Sequence, residues 1–247
     1  MNKSDENVFN TEYKVRGYRN DAKVKECLKA FENDESVLSR EEAYNILVEE
    51  AEKGEINAMV WLGIIHDQEK DYISPKDCFE WFHRAAKVGS IDAKFQMGYH
   101  YLHGKYVGAD KHEAFKWFRD SAMLGYPHAQ NSLGTMYLRG QVSIEDDPDL
   151  CEHYDEKRRK KGWEWLLKSA SQHHYSGLCN LAVLYSQGIY VEKNEDMAIS
   201  LYRLAADINK KDSRARVMLE KMGVPVGLKE QDIERLEDLL DDGYISI

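Results

Sequence analysis

QMGYHYLHG, residues 96–104, places a glycine in the middle of an otherwise helical stretch. Gln96, Met97, Tyr99, Tyr101 and Leu102 read as helix, whereas Gly98 costs a helix roughly 1 kcal/mol relative to alanine. That cost needs an offset, and the rest of the chain shows where it comes from.

The glycine recurs. Leu62-Gly63, Met97-Gly98, Leu133-Gly134 and Leu181-Ala182 fall into register at spacings of 35, 36 and 48 residues. A second signal follows each one: Ala85-Ala86, Ser121-Ala122, Ser169-Ala170 and Ala205-Ala206. Ala51, with Gly54 after it, extends this second series backward. Two features sharing one period identify internal repeats. Each repeat reads as helix A, a turn, helix B and a turn. In repeat two, helix A is 93–104 and ends on Gly104, a position suited to a left-handed backbone, as are Gly140 and Gly188. Helix B is 111–125 and ends on Gly125, matched by Gly54 and Gly89. Asn209 is expected to replace glycine there, because asparagine tolerates positive φ.

The spacing also supplies the offset. Ala93, Met97, Gly98 and Tyr101 share one helical face, and Ala114, Trp117, Phe118, Ser121 and Ala122 form the matching stripe on helix B. A missing side chain at 98 lets backbone approach backbone, with the ring of Trp117 expected to fill the neighbouring space. Ala182 is the small residue of repeat four.

The pattern A-x3-L-G-x2-Y-x2-G, followed by A-x2-W-[YF]-x2-A-A-x2-G, resembles the Sel1-like repeat, a relative of the tetratricopeptide repeat. Repeat two matches at Ala93, Met97, Gly98, Tyr101, Gly104, Ala114, Trp117, Phe118, Ala122 and Gly125. Repeat three matches at Ala129, Leu133, Gly134, Tyr137, Gly140, Trp165 and Ala170. Repeat four matches at Leu181, Tyr185, Gly188, Ala198, Tyr202, Ala205 and Ala206. Repeat one is looser, with His66 at the tyrosine position and Cys78 at the first alanine of helix B. The resemblance implies an all-α fold, a right-handed α/α superhelix (solenoid) of helix-turn-helix repeats. It also implies an adaptor role. Some secreted members carry a disulfide within each repeat, and penicillin binding is associated with that branch. The cysteines here do not keep that spacing.

The reading divides the chain into a tail and lead-in helix over 1–40, the repeat array over 41–223, and a capping helix and tail over 224–247. Residues 1–18 read as poorly ordered and 21–32 as the lead-in helix. Ser39-Arg40-Glu41-Glu42 is a capping box opening a helix over 41–53. Repeat three is longer by twelve residues. Asp147-Pro148 suits a helix start, and the pairs Glu156/Lys160 and Asp155/Arg159 stand at i, i+4, so helix B is expected to run from about 148 to 172. Gly162 is a place for it to bend. Near the C-terminus, Ile233, Leu236, Leu239 and Leu240 form an apolar stripe suited to closing the array. Tyr244–Ile247 are either strap or tail.

Composition narrows the function. The net charge of −10 disfavours nucleic acid and anionic membrane and leaves room for a basic partner. The run Lys157–Lys161 is a solvated helix face beside acidic neighbours rather than a nucleic-acid site, and Trp163 is either extra packing or an exposed anchor. No apolar run reaches the roughly 18–20 residues that cross a bilayer. The polar N-terminus is not a secretory signal, so a cytoplasmic setting is expected. The cysteines Cys27, Cys78, Cys151 and Cys179 lie far apart, without CxxC, and read as reduced thiols.

No phosphate loop, GxSxG or HExxH motif is present. His100 and His103 stand at i, i+3, but without carboxylate partners in sequence they are not assigned to a metal. No catalytic residue, metal ligand or cofactor is assigned, and the chain is expected not to be an enzyme.

Binding is assigned to the A helices. By resemblance to tetratricopeptide arrays, inner-wall residues lie two before, and two and five after, the packing leucine. These are Val60, Ile64 and Asp67; Phe95, Tyr99 and Leu102; Asn131, Thr135 and Leu138; and Cys179, Val183 and Ser186. Each set shares one face at i, i+4, i+7, and His103 and Arg139 stand beside them. The mixed aromatic and aliphatic character suggests a peptide or helix ligand, with Phe95 and Tyr99 as the hot-spot types. The leading reading is a noncatalytic scaffold that holds a protein or peptide partner in a concave groove. Two further readings are an immunity protein neutralising a cognate bacterial toxin, and a hydrolase of the penicillin-binding kind.

Overall fold

The computed structural model describes residues 22–31, 37–68 and 75–241, all of it helix, turn or loop with no strand. The expected N-terminal tail, 1–18, and the last residues, 244–247, lie outside the described residues. The helices fall into two compact units, one ending at Gly108 and the other beginning at Ala109.

The first unit holds α1 (Ala22–Phe31), α2 (Arg40–Glu52), α3 (Ile56–Gln68), α4 (Pro75–Lys87) and α5 (Ile91–His103), each packed on the next. Ser39 opens α2 with a capping box: its hydroxyl accepts from the Glu42 N–H, and its own N–H donates to the Glu42 carboxylate at 2.9 Å. α5 starts on Ser90, whose side chain accepts from Ala93 N–H, and stops on Gly104 in the left-handed region. Leu47, Leu62, Phe82, Ala85, Ala93 and Met97 are buried between these helices.

The second unit holds α6 (Lys111–Met123), α7 (Pro127–Leu138), a 3-10 turn (Pro148–Leu150), α8 (Tyr154–Ser171), α9 (Tyr175–Gln187), α10 (Glu195–Ile208), α11 (Arg214–Lys221) and α12 (Glu230–Asp241). Its core gathers Leu166, Ala170, Leu178, Leu181, Ala182, Leu201, Tyr202, Ala205, Leu219 and Leu236. In α12, Leu236 is buried while Ile233 is 48% exposed, so the closing stripe is narrower than expected.

The close approach at the repeated glycine is seen where both helices belong to one unit. A Cβ on Gly63 would stand 2.8 Å from the Phe82 ring, and one on Gly134 would stand 3.0 Å from Leu166 Cγ. The residue that meets the glycine is therefore the one after the tryptophan. Trp81 and Trp165 are half-buried, with the Arg84 guanidinium 4.4 Å and the Lys168 ammonium 4.5 Å from their ring centroids. Adjacent helical residues point about 100° apart, and the smaller side chain takes the tight position. Gly98 is buried in α5 of the first unit, whereas Trp117 belongs to the second.

The insertion differs from a continuous helix. α8 starts at Tyr154, after the 3-10 turn and a left-handed His153 (φ 53°). Asp147 does not cap a helix with its side chain. Its carboxylate instead accepts from the Tyr137 hydroxyl at 2.7 Å and pairs with Lys161 at 2.6 Å, and Leu150 is buried. At 18 residues, α8 is still longer than α4 or α6, at 13 each. Gly162 lies inside it, against α7. Asn209 also departs from expectation: its φ is −119°. Its side-chain oxygen accepts from the N–H groups of Lys211 and Asp212 at 3.1 and 3.2 Å, a local turn that needs no positive φ. The left-handed position in that series is instead held by His173 in repeat three (φ 58°).

Candidate partner-binding site

In the first unit the expected face splits by burial. Val60, Ile64 and Phe95 are 3%, 5% and 8% exposed, so they pack inside the unit. Asp67, Tyr99 and Leu102 are half-buried and His103 is exposed. The Tyr99 and His103 rings lie 4.3 Å apart, one helical turn from each other. His100 turns the other way and is 1% exposed.

Asp67 is held by residues the sequence did not point to. Tyr106, just beyond α5, donates its hydroxyl to Asp67 Oδ1 at 2.8 Å, and Lys105 pairs with the same oxygen. Tyr106 sits at φ 72°, a left-handed conformation. Close by, the Cys78 thiol donates to the Gly63 carbonyl at 3.3 Å. Burial, helped by the Asp67 charge, pushes the Cys78 thiol up to about 12. Burial pushes His100 down to about 4. The cluster therefore carries a protonated thiol and a neutral imidazole, and offers no ready nucleophile. Ligand atoms of Asp67, Cys78 and His100 all lie within 4.8 Å of one another, which makes this a donor set with the reach to hold a metal.

In the second unit α7 and α9 pack against one another. Asn131, Thr135, Leu138, Val183 and Ser186 are half-buried and Arg139 is exposed. Cys179 is 1% exposed and belongs to the core. Its neighbour Asn180 takes the accessible position and donates its side-chain amide to Asn131 Oδ1 at 2.8 Å. The Thr135 hydroxyl turns back to the Asn131 carbonyl at 2.8 Å. Asn180 was legible only as a polar residue beside a predicted wall position.

In the basic run, Arg158, Arg159, Lys160 and Lys161 have partners within the unit. Arg158 donates to the Leu138 carbonyl at 2.7 Å and to Tyr137 at 3.2 Å, capping α7, and pairs with Asp155 at 2.7 Å. Lys161 pairs with Asp147 and Asp149. Arg159 bonds the Asp155 carbonyl rather than its carboxylate, and Lys160 stands 4.0 Å from Glu164 rather than beside Glu156. Trp163 is half-buried, packed on the core, with its ring 5.8 Å from that of Tyr190. Among the described residues, no helix is long and apolar enough to cross a membrane.

The family model for the Sel1 repeat matches residues 56–90, 91–126, 127–154, 155–174 and 176–209. Repeat three is thus matched in two pieces that divide where α8 begins. A crystal structure of a Sel1 repeat protein from Oxalobacter formigenes is similar, with a TM-score of 0.66 at 22% identity, covering 89% of this chain and 84% of that one. Another likeness is to c5321, a protective antigen present in uropathogenic Escherichia coli strains that displays an SLR fold. Its TM-score is 0.46 at 21% identity, covering 94% of this chain and 56% of that one. No curated protein matches the chain in sequence. Proteins of the Sel1 repeat family generally mediate protein–protein interaction and are typically noncatalytic scaffolds. With matched repeats covering more than half its length and helical hairpins packed through small residues, this chain belongs to the Sel1 repeat family.

Proposed function

We propose that the chain is a noncatalytic adaptor that holds an extended or helical segment of a protein partner on the A-helix faces of its hairpins. The observation that carries this reading is the pair of adjacent rows on α7 and α9. They keep mixed, accessible side chains, linked by the Asn180–Asn131 bond. A side-chain amide has two donors and a two-lone-pair acceptor. One mutual bond leaves most of that capacity for a partner's backbone, while Leu138 and Val183 offer apolar contact. In the first unit, Tyr99, Leu102 and His103 are the corresponding contacts.

The test is affinity capture with the tagged full chain, identification of the bound protein by mass spectrometry, and calorimetry with the purified partner. Asn131→Ala/Asn180→Ala and Tyr99→Ala/His103→Ala avoid the buried Phe95 and should leave the fold intact by circular dichroism. At least one pair should weaken binding about tenfold or more. Unchanged affinity in both would remove these faces as the binding surface.

A further inference from the structure

Asp67, Cys78 and His100 are contributed by three successive helices, α3, α4 and α5. His100 is 1% exposed, and neither of its ring nitrogens meets a hydrogen-bond partner among the described residues. The rings of Phe82 and Tyr106 lie 5.6 and 5.1 Å from it. An imidazole buried with no partner costs free energy for each unmade bond. Such groups are few in native cores, and a bound ion is one physical reason for keeping one.

We propose that Asp67, Cys78 and His100 form a binding site for a divalent transition metal of the zinc class. Sulfur, imidazole nitrogen and carboxylate oxygen are the donors that class takes, and three protein donors leave a fourth position for water. With bonds of about 2.0–2.3 Å, tetrahedral donors stand about 3.5 Å apart. The observed atoms, within 4.8 Å of one another, close that gap by side-chain rotation. The second shell is in place, because Tyr106 donates to Asp67 and orients it. Entry is from the Asp67 side, where the Asp67 and Lys105 side chains are 31% and 35% exposed. Binding sends the Cys78 thiol proton to solvent and swings the Lys105 ammonium off the carboxylate. The metal then ties α3, α4 and α5 together. This site is independent of the adaptor reading.

The experiment uses the full chain carrying Cys151→Ser, which removes the exposed thiol, stripped with a chelator and titrated with Co2+ and then Zn2+. One equivalent of Co2+ should produce a thiolate-to-cobalt charge-transfer band and tetrahedral visible bands, both quenched by Zn2+. Cys78→Ser should abolish the charge-transfer band, His100→Phe should weaken binding at least about tenfold, and Tyr106→Phe on the order of tenfold. Absence of the band in the parent, its survival in Cys78→Ser, or unchanged cobalt affinity in a folded His100→Phe overturns the proposal. If His100→Phe does not fold, the parent spectrum and Cys78→Ser decide the matter alone.

Discussion

Gly134 and Gly162 face each other across the α7–α8 contact. A Cβ on Gly134 would stand 2.9 Å from the Gly162 carbonyl oxygen, and one on Gly162 would stand 3.0 Å from the Gly134 carbonyl oxygen. Each glycine is where it is because the other helix's backbone occupies the place of its side chain. The propensity lost in each helix is offset by backbone contact and by the packing of Leu138 and Leu166 around it.

Gly134→Ala should therefore destabilise the chain, although alanine is the better helix former. The gain of roughly 1 kcal/mol in propensity is opposed by an overpacking cost of about 1–3 kcal/mol, and a backbone carbonyl cannot swing aside. At Gly63 the nearest atoms to an added Cβ belong to the Phe82 ring, which gives way more readily than a backbone carbonyl, so Gly63→Ala should cost less. Urea melts of the two variants beside wild type check the order; a more stable Gly134→Ala would refute the close approach.

Arg203 on α10 and Asp232 on α12 form an ion pair at 2.9 Å, with side chains 6% and 1% exposed. The Ser200 hydroxyl and Lys229 N–H also donate to Asp232, at 2.7 and 2.9 Å. Burial alone would raise the Asp232 pKa, but these bonds and the Arg203 charge hold it below its ordinary value. Asp232→Ala strands the arginine and should cost about 3–5 kcal/mol. A depressed folded pKa gives stability that is present above the unfolded value of about 4 and lost as pH falls through the folded one. The gap between wild type and Asp232→Asn should thus be full at pH 7 and narrow below about pH 4. Denaturation midpoints at neutral and acid pH measure it, and a gap independent of pH would show that the carboxylate charge contributes nothing.

His173 holds a left-handed conformation at φ 58°, where other repeats use Gly54, Gly89 and Gly125. A side chain in that region costs about 1–2 kcal/mol, partly balanced by the extra freedom glycine has when unfolded. His173→Gly should raise stability by about 0.5–1 kcal/mol, read as a higher melting midpoint. The adjacent His174, which accepts from Gly177 N–H to cap α9, should not tolerate the same change.

Local signals were the legible ones. The Ser39 capping box, the Gly104 stop and the alanine pairs each act within a few residues, so periodicity and residue type suffice to read them. The expected helix over 148–172 failed at its start because Asp147 serves Tyr137 and Lys161 rather than a helix end. Asn209 failed as a left-handed stop because its own side chain closes a different turn. On the expected binding face, Asn131 and Thr135 stand accessible while Val60 and Phe95 are covered, a distinction set by how far each helix is rotated about its axis.

Helical character, the repeat and the small residues at which helices meet were all readable in the chain before folding, since they follow from residue type and spacing along it. That the side chain after the tryptophan meets Gly63 and Gly134, that Asn180 reaches Asn131 across 49 positions, and that Asp67, Cys78 and His100 converge from three helices emerge only in the folded chain. Those outcomes depend on helix rotation and on contacts between distant segments, and a periodic pattern leaves both free.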